Sequence, residues 1–395
     1  MIVNKWKSTD IDQRTQSEYD LLYLISSVLN DITPKPQRIE QMDLRMIYKV
    51  ARYHTLAAIT CMALESADAF RQCTDVELVR KWKECKEKAI RKNLLLDAER
   101  QNICGFMEQE HIWYMPLKGV VLKEFYPRLG MRQMADNDIL FDSRFQNEVC
   151  QWMIQHGYKA IMVGKGNHDV YEKEPVYNFE MHTSLYGKGH NEDWVHYYQD
   201  VKERLIQDRE NQYGYHFTDE DFYIYIITHA YKHYNGSGTG IRSLLDIAVY
   251  LRKKESSLDW KYISDELKKL QVAEFEQNSR NLAEKVFSKE QYNLTEEETG
   301  LLHYFLGAGT YGTMANRVEK KLREYQPDDE LIKGVTKRRY IRQRLFPDES
   351  FYQDFVPFAY RHKWFRPFYL VYRAIRGVLR KRKMIARELK IIMKK

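Results

Sequence analysis

Between Leu117 and Asp142 the chain reads LKGVVLKEFYPRLGMRQMADNDILFD, and the end of this stretch restricts the local fold more than any other. Ile139-Leu140-Phe141 is a short apolar run that fits a buried strand. Successive side chains of a strand alternate between faces. Asp136 and Asp138, spaced i, i+2, therefore point the same way. Two carboxylates on one face repel each other unless a cation lies between them.

Oxygen-only ligands with vacant positions suit Mg²⁺, which keeps waters and takes up substrate phosphates. On this reading Asp136 and Asp138 hold Mg²⁺ against a nucleotide's phosphates. The competing reading has both aspartates capping a turn before the strand. A third ligand is expected from a neighbouring strand. Glu180, an acid in the otherwise apolar NFEMHTSL, is the first choice, and Asp169 is the next. Glu180 could also act as base toward an acceptor hydroxyl. Lys118-Gly119 opens an expected short helix, a place where phosphate can bind. Arg132 lies four residues before Asp136 and within reach of the same phosphates. The bland alternative for Lys118 is a surface lysine at a helix start. His182 shares a strand face with Glu180, either orienting a carboxylate or touching a phosphate, or simply satisfied and half-buried. His54 and His168 stand isolated.

A further constellation lies in THAYKHY and GIRSLLDIAVYL. His229 and His233 share one helix face, as do Arg242 and Asp246 on the next helix. Three readings remain open. The pair forms a basic wall over the sheet's site; or His229, His233 and Asp246 bind a metal as in helical phosphohydrolases; or Asp246 holds Arg242 or a histidine in an interhelical hydrogen-bond cluster. GAGTYGT (307–313) lacks the glycine spacing of a phosphate loop and reads as an interhelical turn.

Around this centre the texture of the chain changes twice. SEYDLLYLISSVLND has helical spacing after a Ser-x-x-Asp start that resembles a capping box. ITPKPQ breaks it, helices follow near 43–53 and in LAAITCMALES, and Val76 to about Gln109 is a long charged helix. IWYMPL, Asn137–Phe141, YKAIMV, HDVYEKE and VYNFEMHTSLYG read as strands, with helices over Gly119–Phe125 and Ser143–His156. From about Tyr215 the pattern is helical again, including an expected helix over Met314–Glu324. The fold class is therefore α+β: a helical region over 1–98, a small mixed-sheet core over 99–214 and a helical domain with a basic tail over 215–395.

With 395 residues the chain has room for two or three domains. Five cysteines, without a CxxC pair, fit reduced thiols and not a disulfide or zinc scaffold. No apolar run reaches the roughly 18 residues that span a bilayer, and MIVNKWKSTDIDQRTQ lacks the apolar core of a signal peptide. A cytoplasmic protein is expected. The 29 tyrosines fit half-buried positions on helix faces. Net charge is +7, and nine lysines and arginines of the last twenty residues face only Glu388. Phe368, Leu370, Val371, Ile375, Val378 and Leu379 add apolar positions to that stretch. It reads either as a peripheral membrane contact or as a packed helix with a solvated basic tail. No specific nucleic-acid partner is expected.

LKGVVLKEFYP, followed by R-x-M-x-D-x-D and apolar residues, resembles the uncharacterised bacterial nucleotidyltransferase-like proteins. ARYHTLAAI, FEMHTSL, HAYKHY with IRSLLDIA, and LFPDESF with FRPFYLVYRAIRGV extend the likeness from about residue 20 to 380. Such proteins have the nucleotidyltransferase fold of the DNA polymerase beta type and often accompany polysaccharide biosynthesis genes. The resemblance implies a metal site of Asp136, Asp138 and Glu180, with Lys118 and Gly119 near the triphosphate. It also implies an NTP donor and an acceptor that is a small molecule, a sugar or a protein. A nucleotide-binding module without catalysis is the alternative. Two departures stand out. Lys118-Gly119 replaces the usual Gly-Ser of the first turn, and Asn137 takes a position usually apolar, which implies a less buried far face of that strand.

Overall fold

The computed structural model describes residues 13–71, 73–187, 189–289, 293–310, 312–314, 317–318 and 333–394. It divides into two compact units, one of residues 1–231 with 240–310 and one of 232–239 with 311–395. In chain order the first unit contains α1 (Gln13–Leu29), α2 (Pro36–Ile39), α3 (Leu44–Tyr53), α4 (Ala57–Ser66) and α5 (Val76–Gln109). The sheet region follows, with β1 (Tyr114–Leu117), α6 (Gly119–Leu122), β2 (Asn137–Phe141), α7 (Gln146–Gln155), β3 (Lys159–Met162), β4 (His168–Lys173) and β5 (Tyr177–His182). After it come α8 (Glu192–Tyr197), the two-residue strands β6 (Ile206–Gln207) and β7 (Tyr215–His216), α9 (Asp219–Tyr234), whose last turn enters the second unit, α10 (Ile241–Lys254), α11 (Trp260–Lys269), α12 (Ala273–Phe287) and α13 (Glu296–Ala308). The fold is α+β.

The five-stranded sheet has the order β1-β2-β5-β4-β3. Only β2 and β5 run parallel; the other neighbours are antiparallel. The apolar residues of alternate positions decide which face is buried. Tyr114, Ile139, Phe141, Tyr171, Phe179 and Met181 pack in one core against Ile103 and Met107 of α5 and Val149 and Met153 of α7. Each fully buried side chain of this kind contributes about 1.5–3 kcal/mol. The opposite face carries Asp138, Glu180 and His182. A helix after β2 and a hairpin before β5 supply the crossover that parallel pairing requires.

The flanking helices form a second packed layer within the same unit. Asn30 at the end of α1 donates from Nδ2 to the Phe287 carbonyl at 2.9 Å, and Arg252 of α10 donates to the Leu29 carbonyl at 2.9 Å. The segment before the sheet and the segment after it are thus bound to each other. The structure differs from the expected capping box at Ser17. The helix begins at least a turn earlier, with Arg14 bonded to Glu18 and Gln16 to Asp20, so Ser17 and Asp20 lie buried inside it. The hairpin β6–β7 and α8 were not foreseen; they lie where the sequence has no regular period. Of the helix expected over Met314–Glu324, only Met314, Arg317 and Val318 are among the described residues, and the first twelve residues lie outside them.

Asn137 corrects one expectation. It is fully buried on the α5 side of β2, where its Nδ2 donates to the Leu96 carbonyl at 2.9 Å and its Oδ1 accepts from Arg100 at 3.2 Å. That face is not less buried; its polar residue is paid for by hydrogen bonds to α5. Asn137→Ala is expected to lower unfolding stability by about 1–3 kcal/mol in urea titrations, because Arg100 loses a buried acceptor.

Candidate functional site

The parallel register places Asp138 directly beside Glu180 and Leu140 beside His182. The antiparallel register places His168 opposite His182. Three strands therefore deliver Asp138, Glu180, His182 and His168 to one face, and β1 delivers Lys118 from its end.

Lys118 stands between the carboxylates. Its Nζ lies 2.5 Å from Asp138 Oδ1 and 4.0 Å from Glu180 Oε2. His182 Nε2 meets the same Asp138 oxygen at 2.9 Å and lies 3.7 Å from Glu180. His168 Nε2 is 3.9 Å from Glu180, and the two imidazole rings are 5.0 Å apart. The backbone of Lys118 is left-handed, with φ 51° and ψ −115°, a region that side chains bearing a Cβ avoid. The ion pair to Asp138 helps to hold it there.

The two aspartates have opposite electrostatics. Burial, then the charges of Asp138 and Glu180, push the Asp136 carboxyl up to about 6. Burial also works against the charge on Asp138, but the Lys118 ammonium and the His182 hydrogen bond outweigh it and hold that carboxyl well below the usual range. Lys118 is held above its ordinary value because Asp138 and Glu180 outweigh its own burial. Arg242 of α10 adds positive potential near Asp136, and the buried Tyr225 of α9 lies close enough to Asp138 and Glu180 to feel their charge.

Next to Gly119 is a second buried assembly. Arg132 donates from Nε and Nη2 to the two oxygens of Asp246, at 2.8 and 3.0 Å, and Tyr126 donates to Asp246 Oδ1 at 2.8 Å. Gly119 is packed against it. A Cβ there would collide with Arg132 Nη1 and lie 3.0 Å from Met134 Cε. The glycine is thus required by the approach of the Arg132–Met134 arm, a reason distinct from phosphate access.

The sequence-derived candidates separate accordingly. Asp136, Asp138, Glu180, His182 and Lys118 are brought together. Arg132 is not open to the same space; it is 8 % exposed and committed to Asp246. Asp246 in turn holds Arg132 and Tyr126. Asp169 points to the far face, where it accepts from Gln146 and from the Gly164 amide. His168, which looked isolated, belongs to the cluster. Reflecting HDVYEK and YNFEMH about Pro175 would have paired it with His182. Tyr126 carried no sequence signal, since its partner lies 120 positions away.

Two donor sets share Glu180. Asp136, Asp138 and Glu180 offer hard oxygens, and the Asp136 carboxyl is raised first by burial and then by the charges of the other two acids. Among the described residues, the His, Cys, Asp and Glu side chains close enough to share one ion are His168, Glu180 and His182. A divalent cation fits this face on the chemistry of its donors.

Two outcomes are expected. A carboxyl whose folded value is raised from about 4 to about 6 binds its proton more tightly when folded, so stability is lost as pH rises through that window. Asp138 behaves oppositely, stabilising above about pH 4 and losing that contribution in acid. In metal-free buffer near pH 7.5, Asp136→Asn is expected to raise the melting temperature and Asp138→Asn to lower it, with the Asp136→Asn gain vanishing below about pH 4. Asp246→Ala strands the buried Arg132 and is expected to cost about 3–5 kcal/mol in chemical denaturation.

The family model described as uncharacterised nucleotidyltransferase matches residues 40–288, more than half of the chain. The matched stretch contains every residue of the cluster and ends before α13. No curated protein and no solved structure matches the chain. Nucleotidyltransferases usually employ divalent metals, in keeping with the carboxylate-rich face. The chain belongs to the uncharacterised nucleotidyltransferase family.

Proposed function

We propose that the chain moves a nucleoside monophosphate from an NTP to a hydroxyl of an acceptor, using Mg²⁺ held by Asp136, Asp138 and Glu180. The observation that carries this reading is the register of β2 and β5, which sets Asp138 beside Glu180 with Asp136 on the approach. Bound Mg²⁺ would neutralise charge on the α-phosphate and the departing pyrophosphate. His182 orients Asp138 through Nε2. Lys118 is the cation nearest the carboxylates and serves the triphosphate oxygens. Glu180 takes the proton of the attacking hydroxyl as the new O–P bond forms and the bond to pyrophosphate breaks. Arg132 is a positioning residue, since it acts through Gly119 and the turn. An NTP donor is consistent with reaction in the cytoplasm. The likeness to proteins found near polysaccharide genes favours a sugar-bearing acceptor in surface polysaccharide biosynthesis.

A second reading is nucleotide binding without turnover. It is favoured by the first turn, where Lys118-Gly119 stands in place of Gly-Ser and Gly119 is backed by Arg132. Incubation with each of the four NTPs, Mg²⁺ and acceptor extracts separates the two. Metal-dependent pyrophosphate release supports transfer. Thermal stabilisation by one NTP with no release under any condition supports binding alone. Under the transfer reading, Glu180→Gln is expected to slow turnover about a hundredfold, a larger effect than on nucleotide affinity. Unchanged turnover would remove Glu180 from the chemistry.

A further inference from the structure

The second unit contains, among its described residues, α14 (Lys333–Leu345), α15 (Glu349–Phe355), α16 (Pro357–Arg361) and α17 (Arg366–Lys394). The C-terminal half of α17 is anchored. Glu388 accepts from Tyr340 at 2.6 Å and from Arg344 at 3.0 Å, and Ile392 packs with Tyr340 and Val318. The acid that opposes the nine basic residues of the tail is thereby buried and engaged inside the unit.

The N-terminal half of α17 is different. Trp364, just before the helix, and Phe368, Val371, Tyr372, Ile375 and Leu379 are 55–74 % exposed. Their spacing of three and four residues puts them on one stripe. Leu370 is half-buried and leaves it, and the Val378 side chain lies outside the described residues. Three residues past Leu379 the same stripe reaches the exposed Arg382, with exposed Arg376, Arg387 and Lys390 on or beside its flank. Among the described residues no helix is long and apolar enough to cross a membrane.

We propose that this stripe lies in the surface of an anionic lipid bilayer. A helix with Trp, Tyr and Phe on one face and arginine and lysine beside them suits the boundary between headgroups and acyl chains. Charge complementarity selects this occupant. A second copy packed stripe to stripe would bring two strongly basic α17 helices together, and the acid of that helix, Glu388, is already taken by Tyr340 and Arg344. An anionic surface meets both the apolar stripe and its basic continuation.

The test is flotation of the full chain with vesicles of phosphatidylcholine containing phosphatidylserine, and with phosphatidylcholine alone. Two variants are compared, Phe368→Ala with Ile375→Ala, and Arg376→Glu with Arg382→Glu; circular dichroism melting checks that each remains folded. The expected result is salt-sensitive flotation with the anionic vesicles only, accompanied by a blue shift of tryptophan emission. Each double variant is expected to weaken it at least about tenfold. No flotation at low salt, or flotation indifferent to both variants, overturns the proposal. So does concentration-dependent dimerisation abolished by Phe368→Ala with Ile375→Ala, which would give the stripe to a second copy. Tighter binding of the wild-type chain to single-stranded RNA than to vesicles would give it to nucleic acid.

Discussion

The parallel pairing of β2 with β5 is the constraint on which the site rests. It fixes Asp138 against Glu180, and it can do so only in one register. A slip of either strand by one residue would turn its own apolar pair, Ile139 and Phe141 or Phe179 and Met181, out of the core and drive its carboxylate into it. The apolar face therefore enforces the repulsion on the other face. Packing against α5 and α7 supplies the free energy that holds two acids side by side, and Lys118 and His182 moderate the cost, most strongly at Asp138, where both make direct hydrogen bonds. Asp136 is buried, and after that burial the charges of Asp138 and Glu180 act on it, which is why its carboxyl titrates apart from its neighbour's.

A second constraint works at longer range. Asp246 on α10 clamps Arg132 and Tyr126, both from the irregular stretch between α6 and β2. That stretch carries the chain from Lys118 to Asp136, so the helical layer determines where the loop lies. The same clamp explains why Gly119 tolerates no side chain. The sheet positions the carboxylates, and α10 positions the turn that faces them.

Much of this was legible in the sequence, and for identifiable reasons. The limits of α5, β2 and β4 follow from period and from turn residues, because burial on one face imposes the period, whereas the strand expected over VYNFEMHTSLYG ends already at His182. Asp136, Asp138, Glu180 and His182 could be grouped because alternation on a strand is local. His168 was missed because its grouping depends on register across a hairpin. Arg132 was misplaced because a cation near two aspartates suggests attraction to a ligand, whereas a third carboxylate, 114 positions along, captures it. Asn137 was misread because its acceptor and donor both lie on α5, at distances the local pattern does not contain. Ser17 was misread because nothing in its own neighbourhood reports that the helix continues upstream. Long-range polar partners were the common element in the Arg132 and Asn137 errors.

The single parallel pair also has a consequence for how the chain reaches this state. β1 can meet β2 and β4 can meet β5 through nearby contacts, but β2 and β5 are separated by α7, β3 and β4. Closing such a crossover costs chain entropy before any contact rewards it. The two halves of the sheet can therefore form as separate hairpin-like pieces, each carrying one carboxylate, and their joining is the step that first brings the acids together. Charge repulsion then falls on the assembly of the sheet and not on the formation of its parts. Counter-ions that bridge the acids would act on that late encounter, so ionic conditions bear on how fast the native sheet closes as well as on how stable it is once closed.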